Sequence, residues 1–89
     1  MKMTGALRRV QTGRPGGRPV LQAELADGTD QVRLVWLGRE HIPGIEPGRV
    51  LQVEGRLSVQ HGRPTIFNPR YDLSAAEPER PEVSRRRPG

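Results

Sequence analysis

Residues 13 to 19 read GRPGGRP, in which Arg14 and Arg18 are set among two prolines and three glycines with no acid nearby. A guanidinium group donates two parallel hydrogen bonds to a phosphate, and glycine lets the backbone approach one closely, so this stretch has the chemistry of an anion-binding loop. The prolines would limit its freedom before a ligand arrives. The competing reading is a plain surface turn, where glycine and proline serve the backbone. The 14 arginines against one lysine then reflect coding bias. A phosphate cradle of the P-loop kind is disfavoured, because the stretch joins two strands and opens no helix.

The remaining reactive side chains point away from catalysis. His41 and His61 stand alone, without a carboxylate or thiol at metal-ligand spacing, and the chain has no cysteine. Neither histidine has a serine or threonine arranged for nucleophilic attack. Glu24, Glu54 and Asp72 fall on alternating positions that read as ordinary surface charge, and no GxxxxGK[ST] motif is present. The expectation is a non-enzymatic protein with no metal and no cofactor.

Charge gives the partner class. The net charge is +5, and residues 1–73 hold eleven basic and seven acidic groups, so most of the excess belongs to that part of the chain. A positive domain attracts polyanions at long range, which makes nucleic acid the expected partner, ahead of an anionic membrane or an acidic protein. Taken with the rest of the sequence, the expected partner is nucleic acid, DNA more than RNA, with a protein partner as the alternative and no membrane partner. The N-terminus lacks the apolar run of a signal peptide, and no stretch of about 20 apolar residues occurs. With no cysteine to staple, a reducing cytoplasm is the expected compartment.

These groups need a scaffold, and the apolar period over residues 4–73 is two, with turn signals recurring about every eight to twelve residues. Five strands are expected. The first spans Thr4 to Gln11, where the odd spacing of Leu7 and Val10 suggests a bulge. The second, Val20 to Ala26, alternates Leu21, Ala23 and Leu25 with Gln22 and Glu24. DGTD then supplies hairpin chemistry before a third strand, Gln31 to Leu37. In that strand Val32, Leu34 and Trp36 compete with Arg33, Val35 and Leu37 for the core; the first set is wholly apolar, so Trp36 turns inward and Arg33 outward.

GREHIPGIEPG is a connector with one helical turn at Arg39 to Ile42, which Pro43 keeps short. The fourth strand runs from Arg49 to Val59 with a bend at Gly55, and the fifth from Pro64 to Asn68, where Pro69 stops the ladder. Three strands, a short helical connector and two strands make an all-β, five-stranded OB-fold Greek-key barrel over residues 1–73, with an SH3-like barrel as the structural alternative. Residues 74–89, SAAEPERPEVSRRRPG, carry one sizeable apolar group and read as a disordered tail.

The segments DGTDQVRLVWLG, IEPGRVLQVEGRL and IFNPRYDL, in that order, resemble the OB-fold module in the wedge domain of RecG-type branch-migrating DNA helicases. They more closely resemble small free-standing OB-fold nucleic-acid-binding proteins of high-G+C bacteria. The resemblance implies binding of single-stranded or branched DNA, or of structured RNA, and sets Leu37 and His41 at the wedge's two base-stacking positions. Leucine offers no π-face and histidine a smaller one, which separates this chain from that wedge.

An OB-fold binds its ligand on the face of its second and third strands, between the loops joining strands one and two and strands four and five. Arg14, Arg18 and Arg63 are therefore expected to flank one groove, with Arg33 pointing into it. Phe67 is either a stacking residue or second-layer packing, and Arg70 either a phosphate contact or a solvated charge. Tyr71 reads as a clamp on the end of the domain.

Overall fold

A computed structural model describes residues 1–73; the tail expected at 74–89 lies outside the described residues. Seven strands form one mixed sheet: β1 (Lys2–Gly13), β2 (Val20–Ala26), β3 (Gln31–Leu37), β4 (Val50–Glu54), β5 (Leu57–Gln60), β6 (Arg63–Phe67) and β7 (Arg70–Asp72). Their lateral order is β5-β6-β3-β2-β1-β4-β7. All pairs are antiparallel except β3 with β6, which run parallel.

The sheet has to curl. Only Gly55 and Arg56 separate β4 from β5, and three Cα steps reach about 11 Å. Laid flat, β4 and β5 would stand five strand spacings apart, about 24 Å. Curling brings the two ends within reach and produces an open half-barrel. Its concave side holds the core: Leu7, Leu21, Leu25, Leu34, Leu51, Val53 and Ile66 are buried almost completely. Trp36 joins them, donates its indole N–H to the Pro69 carbonyl at 3.3 Å, and receives the Tyr71 ring edge-on at 6.0 Å.

Two glycines make the curl possible. β1 serves two partners, pairing with β4 through Lys2 to Ala6 and with β2 through Ala6 to Gly13. Gly5 sits where it passes from one to the other, and a Cβ there would lie 2.5 Å from the Ala26 carbonyl oxygen. At Gly55 a Cβ would meet Ile66 Cγ2 at 2.6 Å. Both positions bring backbone against a neighbour closely enough to exclude any side chain.

Three expectations need correction. The single strand from Arg49 to Val59 is two, because the chain turns at Gly55 and Arg56 and its halves pair with different neighbours: β4 with β1 and β7, β5 with β6. A seventh strand, β7, follows Pro69, so the count is seven rather than five and the sheet is open rather than closed. The connector holds no helix. Pro43 disfavours helical backbone at Ile42, so the turn from Arg39 to Ile42 does not close. Instead, turns from Ile45 N–H to the Ile42 carbonyl (3.0 Å) and from Arg49 N–H to the Glu46 carbonyl (3.1 Å) fold the segment back and bury both isoleucines.

The β2–β3 hairpin closes as its sequence suggests. Asp27 Oδ1 accepts from the backbone N–H of Thr29 (2.9 Å) and Asp30 (2.8 Å) and from the Thr29 hydroxyl, while Gly28 takes φ of 96°. The N–H groups of Asp30 and Thr29 hold the Asp27 carboxyl below the usual carboxylate range.

Candidate nucleic-acid interface

The outer face of the sheet carries the charge, and pairing register decides which charges meet. Residues directly opposite on neighbouring strands share a face. Across β2, β3 and β6, Glu24 lies opposite Arg33 and Arg33 opposite Thr65. One row away, Gln11, Gln22, Val35 and Phe67 line up from β1 to β6. Arg63, two residues before Thr65 on β6, shares its face by alternation.

β1 adds a fourth charged side chain through an irregularity. Leu7 pairs with Leu25 and Val10 with Ala23, so Arg8 and Arg9 together oppose the single residue Glu24. A bulge of this kind bends the strand and re-aims its side chains. The result is a shallow polar depression lined by Arg9, Gln22, Glu24, Arg33 and Arg63. Three arginines from three strands line it together with one carboxylate residue. Among the described residues none of the three makes an ion pair, so each keeps donors for a ligand. Arg9 is not among the residues expected from sequence, although ALRRV together with the bulge at Leu7 and Val10 puts two arginines at the irregular position.

The other expected residues are dispersed. Arg14 donates to Glu40 Oε2 at 2.6 Å, bridging the 13–19 loop to the connector. Within that loop Pro15–Gly17 forms one tight 3-10 turn. Arg18 borders a second, mostly apolar depression with Pro15, Pro19, Val20 and Leu37. Leu37 and Phe67 remain 52% and 43% exposed at the end of the face. They are tied together there because Asn68 Oδ1 accepts the Leu37 N–H at 2.9 Å and the Asn68 N–H donates to the Val35 carbonyl.

His41 is exposed on the connector and lines neither depression. Arg70 sits on β7 opposite Glu54, at the edge of the sheet remote in strand order from β6. The structure therefore brings Arg33 and Arg63 together with Arg9, leaves Leu37, Phe67 and Arg18 along one margin, and separates Arg14, His41 and Arg70 from the group. No helix among the described residues is long and apolar enough to cross a membrane. Compared with protein-family models, with curated proteins and with solved structures, the chain matches none.

Proposed function

We propose that the chain is an OB-fold module that binds nucleic acid without acting on it chemically, taking single-stranded or branched DNA ahead of structured RNA. The fold part of the proposal joins β4 and β5 as one strand interrupted at Gly55 and Arg56, and sets β7 aside as an edge addition. What remains is a β1-β2-β3 meander with β4 on β1 and β6 parallel to β3. That pairing is consistent with the OB plan.

One observation carries the function: Arg9, Arg33 and Arg63, from β1, β3 and β6, converge on one depression with a single carboxylate and no ion pair among the described residues. Arginines on neighbouring strands of one sheet suit phosphates of an extended polyanion, because the sheet sets the spacing of their backbone positions before the ligand arrives. In the resemblance to the RecG wedge, stacking falls to Leu37 and His41; here Phe67, exposed beside Leu37, is the better π-surface.

A fluorescent single-stranded oligonucleotide titrated at two salt concentrations tests the reading. Three phosphate contacts predict a log–log slope of about −2, from about −0.7 per contact. Absence of binding at low salt rejects it.

A second reading, recruitment of a protein partner, draws on the apolar depression formed by Pro15, Pro19, Val20 and Leu37. An apolar interface survives salt that removes phosphate contacts, so pull-down at high salt separates the two.

A further inference from the structure

Glu24 is out of place in a site built for phosphates alone. It is half-buried in the middle of β2, directly opposite Arg33, and lines both parts of the cationic depression. A carboxylate there repels a phosphate, and among the described residues it forms no ion pair with the arginines around it. Its two oxygens only accept hydrogen bonds when ionised, so the group they suit is one that donates.

Base edges differ in what they donate. Guanine presents N1–H and the 2-amino group side by side, which matches both oxygens of one carboxylate. Cytosine and adenine each offer an amino group next to an acceptor nitrogen, and thymine an imino N–H between two carbonyls. In a duplex that edge is occupied by its partner base; in a single strand it is open to side chains. Gln22 neighbours the carboxylate on the same strand face and has an amide that donates to a carbonyl such as guanine O6.

We propose that Glu24 reads an unpaired guanine in a single strand while Arg9, Arg33 and Arg63 hold the adjoining phosphates. This inference rests on the nucleic-acid reading above and gives that site a base preference. It also assigns the only carboxylate among the described residues lining the depression a use that a purely electrostatic groove lacks.

The test uses three thymidine dodecamers that differ only at one central position: guanine, hypoxanthine, which lacks the 2-amino group, or thymine. The wild-type chain is expected to prefer the guanine strand over the all-thymine strand about tenfold, with hypoxanthine between them. Glu24→Gln is expected to erase the preference and to tighten the all-thymine strand, because one negative charge leaves the site; Glu24→Ala should erase it as well. Equal affinity of the wild type for all three strands, with steep salt dependence, overturns the role of Glu24 and leaves the phosphate groove standing. Persistence of the preference in both variants overturns it too. Free GTP binding as tightly as the guanine strand removes the assignment to a strand. Failure of every strand to bind at low salt overturns the nucleic-acid reading, and this inference with it.

Discussion

Two regions rich in arginine behave differently. In the 13–19 loop, only three residues separate Arg14 from Arg18, yet one bridges to Glu40 and the other edges an apolar hollow. In the sheet, Arg9, Arg33 and Arg63 are far apart in sequence and meet at one depression. A loop side chain finds whichever opposite charge its own mobility reaches, whereas a strand side chain is aimed by pleat and register. Closeness along the chain is therefore a poor guide to a shared site in a sheet protein.

The largest effect should come from the scaffold under the sheet cluster. Leu34, fully buried on β3 between Ala23 and Ile66, positions its neighbour Arg33. Leu34→Ala is expected to cost about 2–5 kcal/mol, read as a lower denaturation midpoint. Below that midpoint binding should survive, and its loss would mean that the cluster needs more than the fold.

Next in size is the cluster itself. Replacing Arg9, Arg33 and Arg63 together by alanine should weaken binding of a single-stranded oligonucleotide about a hundredfold, at about 1 kcal/mol per contact, and flatten the salt slope toward zero. Arg14→Ala with Arg18→Ala should change affinity far less. An equal loss in both sets would erase the distinction between loop and sheet.

The smallest change tests the loop alone. Glu40→Ala releases Arg14 from an exposed pair worth about 0.2–1 kcal/mol. Thermal stability should barely move, while oligonucleotide affinity rises up to a few-fold as Arg14 becomes available. A fall in affinity would show that the paired arrangement itself contacts the ligand.

Much of the local structure was legible in the residues. The alternation in VLQAELA and QVRLVWL set β2 and β3 at Val20–Ala26 and Gln31–Leu37, with Val32, Leu34 and Trp36 turned inward. The spacing of Leu7 and Val10 marked the bulge, and DGTD the hairpin. Each of these is decided by contacts within a few residues. Val35 escaped that logic: it lies on the outer face with Arg33 yet is buried, because Gln22 and Phe67 flank it in register.

What the sequence determined by itself was an all-β chain of positive charge, with the bounds of its central strands and the identity of its apolar face. Tertiary structure alone decided that β6 lies parallel to β3, that the bend at Gly55 sends β4 and β5 to different partners, and that Arg9 joins Arg33 and Arg63 beside Glu24. The physical reason is range. Periodicity and turn chemistry are written between neighbours, while the pairing of β3 with β6 joins residues about thirty positions apart, and no local pattern specifies which strand fills that edge until the whole sheet curls around its core.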